Sequence, residues 1–212
     1  MLKVNEIFYS IQGESSYAGL PCVFIRLTFC NLRCTYCDTE YAFYEGKDMT
    51  IEEILTEIKK YDCKLLEVTG GEPLTQNESF DLLKRLCNEQ YEVLLETSGS
   101  ISIQDVDKRV KIIMDLKTPS SGMMNKNLYE NVTLLKPSDE IKFVLSNRED
   151  YDWAKEIISQ HNLNDKCTVL MGCVFNKLKP IELVKWILED KLNVRFQIQL
   201  HKYIWEPTRR GV

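Results

Sequence analysis

The sequence predicts an α/β fold, an incomplete β/α barrel built on a mostly parallel sheet. Three observations carry that prediction. Short apolar runs alternate with amphipathic helical patterns through most of the chain. Several apolar runs end in polar residues, namely Thr69, Glu96-Thr97-Ser98, and Asp115 with Lys117. In parallel α/β folds such strand ends gather into a shared site. The length, 212 residues, falls short of the roughly 250 that a full eight-fold barrel usually needs.

The elements follow in order. Val23-Phe24-Ile25-Arg26-Leu27 is the first strand, and a cysteine-bearing loop comes after it. Residues 50–60 form a helix, because Thr50 and Glu53 make a capping box and Ile51, Ile54, Leu55 and Ile58 share a face. Leu65–Thr69 is a strand running into Gly70-Gly71. Asn77 opens a helix that turns Phe80, Leu83, Leu86 and Cys87 inward, and Val93–Thr97 and Ile112–Asp115 are strands. Ile141–Leu145 and Thr168–Met171 follow, with a helix between them marked by Trp153, Ala154, Ile157 and Ile158. Pro180 fits the first turn of a helix through Leu188, and Val194–Leu200 is the last strand. No linker or repeat divides the chain, so residues 1–212 read as one domain.

Composition excludes several function classes. Apolar residues make up 44% and charged residues 28%, which is ordinary for a globular chain and unlike a disordered one. The net charge of −5 argues against a nucleic-acid binder. No apolar stretch is long enough to span a membrane, and the first residues lack a signal-peptide core, so the expected location is the cytoplasm.

Eight cysteines are unusual in such a chain. Disulfides are not expected in the cytosol. Cys22, Cys63, Cys87, Cys167 and Cys173 are scattered, as small buried hydrophobes would be. Cys30, Cys34 and Cys37 form a C-x3-C-x2-C cluster instead. Three thiolates so close repel one another, and a metal centre relieves that repulsion. Two readings compete. Zinc requires a fourth ligand, from another cysteine or from His161 or His201, neither near in sequence. A 4Fe-4S cluster with only three cysteines leaves one iron open to a small molecule.

The cysteine spacing after the first strand, with Thr69-Gly70-Gly71-Glu72-Pro73 at the end of the next, resembles the radical S-adenosylmethionine (SAM) superfamily. Within it, Phe8–Glu14, Asp38-Thr39 directly after Cys37, and Gln197–Tyr203 resemble the 7-carboxy-7-deazaguanine synthase family, from about residue 4 to the C-terminus. Glycyl-radical activating enzymes share the cysteine spacing but not the Gln-Gly-Glu and Gln-Leu-His-Lys segments. A zinc-stapled binding module without catalysis stands as the alternative of another class.

The resemblance implies a trimmed radical SAM barrel and a ring contraction. 6-Carboxy-5,6,7,8-tetrahydropterin would become 7-carboxy-7-deazaguanine with loss of ammonia, on the route to queuosine. It implies a 4Fe-4S cluster on Cys30, Cys34 and Cys37, with SAM on the open iron. SAM contacts would come from Tyr36, Cys37, Asp38, Gly71 and the stretch Asp115-Leu116-Lys117. Substrate contacts would come from Ile11, Gln12, Gly13, Arg26 and Thr69, and Mg²⁺ would sit on Thr39. A homodimer and a reducing electron donor such as flavodoxin or ferredoxin are implied as well. Arg26 is odd on its own terms, since it interrupts an apolar strand. A buried guanidinium needs a partner, and either a substrate carboxylate or Glu14 would serve. The role of the C-terminal tail stays open.

Overall fold

The computed structural model describes residues 1–212 and is organised by one nine-stranded sheet. In chain order its main elements are β1 (Leu2–Ile11), β2 (Pro21–Leu27), β3 (Lys47–Met49), α1 (Ile51–Ile58), β4 (Leu65–Gly70), α2 (Glu78–Asn88) and β5 (Glu92–Thr97). They continue with β6 (Lys111–Asp115), β7 (Glu140–Leu145), α3 (Arg148–Gln160), β8 (Thr168–Cys173), α4 (Pro180–Glu189), β9 (Arg195–Gln197) and α5 (His201–Ile204). The sheet order is β3-β1-β2-β4-β5-β6-β7-β8-β9. Every pair from β2 to β9 is parallel, and β1 is antiparallel to both its neighbours. The two ends of the sheet do not pair, so the barrel is incomplete, as the sequence predicts.

Side chains alternate across each strand. The outer face carries Val23, Ile25, Leu66, Val68, Leu95, Met114, Ile141 and Phe143 into the main apolar core, beneath the helices. The inner face carries Phe24, Arg26, Glu67, Thr69, Glu96, Asp115 and Lys142 toward an open cavity. Helix α1 forms as expected, with both hydrogen bonds of the Thr50–Glu53 capping box in place. It ends at Ile58 in a short 3₁₀ turn.

Two expectations need correction. The segment Phe8–Glu14 does not precede the first strand, because Leu2–Ile11 is itself β1. A bulge between Val4 and Glu6 breaks its two-residue period, which hides the strand in the sequence. The last strand shrinks from Val194–Leu200 to Arg195–Gln197, because residues 197–201 turn away to dock on the loop after β1. Two crossovers, β5 to β6 and β6 to β7, carry no α-helix. No helix is long and apolar enough to cross a membrane.

Candidate active site

The inner face of the sheet and the loops above its C-terminal strand ends enclose a cavity of about 720 Å³. That volume is ample for more than one small molecule. It brings together Cys30, Cys34, Tyr36, Cys37, Asp38 and Thr39 from the cysteine loop with Gly71, Asp115 and Lys117 from strand ends. Ile11, Gln12, Gly13, Arg26 and Thr69 line it too. Leu116 does not. Its side chain is fully buried in the outer core, so only its backbone stands at the strand end.

The cysteine loop is fixed by its neighbours. Gly71 N–H donates to Leu27 O at 3.3 Å, and Glu72 N–H donates to Phe29 O at 2.8 Å. A Cβ on Gly71 would sit 2.7 Å from the Phe29 carbonyl carbon and 2.8 Å from Cys30 Cβ. The glycine is therefore demanded by the chain's own cysteine loop, before any ligand is considered. Glu72, fully buried, accepts from Leu74 N, Thr97 Oγ1, Ser98 N and Ser98 Oγ, which ties this turn to the end of β5. On the other flank Thr35 donates to Ser121 O (3.0 Å) and Ser120 O (2.6 Å).

The donor set suits an iron–sulfur cluster better than a single ion. The three thiols are partly buried and unpaired by disulfides. No three histidine, cysteine, aspartate or glutamate side chains converge as a mononuclear metal site requires. A four-iron cluster is several ångströms across and takes one cysteine at each corner. Leu32 N–H already donates to Cys30 Sγ at 3.4 Å, a bond of the kind that tunes such clusters. Burial raises all three thiol pKa values, and Lys117 opposes this at each. Lys117 is itself held by Asp115 at 3.0 Å. Tyr36 OH, pushed up to about 12 mainly by burial, donates to Val144 O at 3.2 Å.

Arg26 is paired, but not with Glu14. Its Nε donates to Glu6 Oε1 at 2.8 Å, and its guanidinium lies over the rings of Phe8 and Tyr41. The two terminal nitrogens make no hydrogen bond to the protein and remain free for a carboxylate. Glu14 instead meets Lys142 Nζ at 2.8 Å. Lys142 also pairs with Glu96 and lies 3.7 Å from Asp115. Burial would raise the Glu14 carboxyl, yet the Lys142 charge, with His201 and the hydrogen bonds from Lys142 and Gln199, holds the group at about 2. Thr69 Oγ1 donates to Glu96 at 3.2 Å. Gln12 is nearly spent internally, since Nε2 donates to Glu67 at 2.5 Å and Oε1 accepts from Glu14 N at 3.2 Å. One N–H remains for a ligand.

Thr39 Oγ1 donates its proton to Asp38 Oδ1 at 2.9 Å, while Lys202 holds Oδ2 at 2.6 Å. That leaves both lone pairs of the Thr39 hydroxyl free to meet a cation. Burial would raise the Asp38 carboxyl, but Lys202 keeps it well below the usual carboxylate range.

Sequence reasoning missed Glu67 and Lys142 as cavity residues and left His201 undecided. Each of the two charged residues interrupts an apolar strand, the same signal that exposes Arg26. His201 lines the cavity and packs on Gly13, where a Cβ would stand 3.1 Å from its Cγ. Burial lowers its pKa against the pull of Glu14. Gly13 O accepts from Leu200 N (2.9 Å), and Gln199 Nε2 donates to Glu14 (3.0 Å). These bonds explain why the Gln-Gly-Glu and Gln-Leu-His-Lys segments belong to one site. The tail returns over the cavity, where Glu206 to Arg209, Gly211 and Val212 line it. Arg210 stacks on Tyr41 at 3.8 Å and pairs with Glu45 at 2.9 Å.

Comparison with known proteins agrees with this geometry. The signature of the Radical SAM superfamily matches residues 24–175. Proteins named 7-carboxy-7-deazaguanine synthase from Chlorobaculum tepidum and Koribacter versatilis are 50% and 44% identical, covering all of this chain and 97% and 100% of their own lengths. One from Clostridium acetobutylicum is 40% identical, with 99% of each chain covered. The crystal structure of QueE from Escherichia coli shares the fold, with a TM-score of 0.75 over 94% of both chains at 20% identity. Signature and full-length identity together place the chain in the 7-carboxy-7-deazaguanine synthase family of the radical SAM superfamily.

Proposed function

We propose that the cavity converts 6-carboxy-5,6,7,8-tetrahydropterin to 7-carboxy-7-deazaguanine with loss of ammonia, in queuosine biosynthesis. The observation that carries this reading is the cavity itself. Every cofactor and substrate position expected from the resemblance lines it, Leu116 apart. When bound, the cluster and SAM supply a reducing electron and a hydrogen-abstracting radical, chemistry that the protein positions and shields.

The residues divide that work. Cys30, Cys34 and Cys37 hold the cluster. Tyr36, Asp38, Gly71, Asp115 and Lys117 frame SAM, with the backbone of Leu116 at the same strand end. Arg26, oriented through Nε by Glu6, offers its free fork to the substrate carboxylate. Thr69, Gln12, Gly13 and Ile11 line the substrate's side of the cavity. Lys142 balances Glu14, Glu96 and Asp115, so the inner face can be polar without an unpaired cation.

A Mg²⁺ ion on Thr39 completes the reading. No three acidic side chains converge there, so the ion would draw its remaining ligands from the substrate carboxylate and water. A homodimer and a flavodoxin- or ferredoxin-type donor belong to the same proposal.

The test is anaerobic turnover of the reconstituted protein with SAM, a strong reductant and the carboxylated pterin. The expected result is a brown protein that forms 7-carboxy-7-deazaguanine and ammonia, and a Cys34→Ala variant that does neither. Colourless protein holding stoichiometric zinc would overturn the proposal.

A further inference from the structure

The cavity floor holds a group that none of these roles employs. Glu67 stands on the inner face of β4, 4% exposed, beside Phe24 of β2 and Leu94 of β5. Its surroundings are apolar. Phe8 and Phe24 stack at 4.9 Å, and Leu94 and Ile113 complete a small inner cluster with them. One protein donor reaches the carboxyl, Gln12 Nε2 at Oε2. Oε1 has no hydrogen bond within the protein. It is not sealed off either, since the only enclosed side-chain atoms without a partner are the hydroxyl oxygens of Ser10 and Ser79. Oε1 therefore opens into the cavity that Glu67 lines.

The fold gains nothing from this acid. A buried carboxyl with one partner costs stability, and an apolar side chain would suit its neighbours better. On the same inner face Lys142 pairs with Glu14 and Glu96, yet no cation pairs with Glu67. We propose that Glu67 Oε1 is a hydrogen-bonding contact for the pyrimidinone ring edge of the pterin, a substrate-specificity residue at the cavity floor. The proposal rests on the substrate reading given above.

The chemistry of the group fits that ligand. Burial, and after it the Glu96 charge, holds the Glu67 carboxyl well above the ordinary range against Gln12 and Lys142. That shift favours the neutral acid over the carboxylate. With Oε2 accepting from Gln12, a proton on Oε1 would face the cavity. A neutral carboxyl offers a donor beside an acceptor, and a pyrimidinone edge presents a carbonyl beside an N–H. A charged carboxylate could only accept. The rings of Phe8 and Phe24, with Ile113 beside them, add apolar walls of the kind that planar ring ligands favour.

The experiment uses the reconstituted, unreduced holoenzyme with SAM bound, so that binding is read without turnover. Wild type, Glu67→Gln and Glu67→Leu are titrated anaerobically with 6-carboxy-5,6,7,8-tetrahydropterin by calorimetry, and each is melted. Glu67→Leu should weaken pterin binding roughly ten- to hundredfold. Its SAM affinity should not change, and it should melt at or above wild type. Glu67→Gln, a neutral donor–acceptor isostere, should stay within about threefold of wild type. Equal pterin affinity in Glu67→Leu and wild type would overturn the proposal. So would a loss accompanied by weaker SAM binding and a lower melting point, which marks a structural role. A Glu67→Gln loss as large as that of Glu67→Leu would overturn the neutral-acid form. Wild type that binds no pterin would refute the substrate reading itself, a result visible before any variant is compared, and would take this inference with it.

Discussion

Replacing Gly71 with alanine tests how the cysteine loop is held. The new methyl would lie 2.7 Å from the Phe29 carbonyl carbon, whereas ordinary contacts begin near 3.4 Å. Something must therefore yield by about 0.7 Å, and the obstacles are backbone and Cys30 Cβ rather than a flexible tip. Glu72 N–H donates to Phe29 O from the other side of the same contact, so the turn cannot simply pivot away. Overpacking of this kind costs about 1–3 kcal/mol. For a chain of this size that is roughly 2–12 °C in melting temperature. The displaced segment carries Cys30, and a misplacement approaching 1 Å can cost about a hundredfold in rate. The assay is a melt without SAM, followed by iron content and SAM cleavage after reconstitution. Melting without SAM separates packing from any contact that Gly71 makes to the cofactor. An alanine variant that melts with wild type and holds full iron would refute the packing argument.

Other outcomes follow from the same geometry. Arg26→Lys should weaken binding of the carboxylated pterin by about tenfold or more, because lysine lacks the planar fork; equal affinity for the pterin with and without its carboxylate would refute this. Glu6→Gln should weaken the same binding less, through the loosened Nε anchor, and leave SAM binding unchanged in the same titration. Thr39→Ala should mimic chelation of Mg²⁺, with slower turnover and an intact cluster; identical rates in both proteins, with and without the ion, would make Thr39 structural. Glu14 is held at about 2 against an ordinary 4.5, so the stability it contributes is fully present above about 4.5 and is lost as pH falls toward 2. Lys142→Met removes the charge that holds it, and the acid-unfolding midpoint followed by circular dichroism should move to higher pH.

Much of the site was legible because its chemistry needs rare residues at fixed spacing. Cys30, Cys34, Cys37 and Gly70-Gly71 identify the rim without any structure. The strand ends at Thr69, Glu96 and Asp115 point to the cavity because parallel sheets gather such ends. What stayed hidden is pairing across long sequence distances. Arg26 chooses Glu6 over Glu14 because β1 and β2 register Glu6 directly against it. Glu14 is taken by Lys142, 128 residues away. The last strand was overcalled because Ile198 and Leu200 continue an alternating pattern after the backbone has turned. Hidden too is the packing constraint on Gly71, since the atoms nearest to an added Cβ belong to the cysteine loop.

The division of the sheet into an apolar outer face and a polar inner one has an evolutionary consequence. Folding free energy is concentrated on the helix-covered side, in residues such as Ile25, Val68 and Phe143. Beyond the small inner cluster around Phe24 and Leu94, the opposite side chains of the same strands are mostly polar, and one of them, Glu67, opposes folding. Mutations on the inner face can then redirect which molecule is accepted while the scaffold's stability reserve stays intact. A library randomised at inner-face positions 67 and 69 should yield mostly folded proteins, making this surface a good starting point for retargeting the chemistry to other heterocycles.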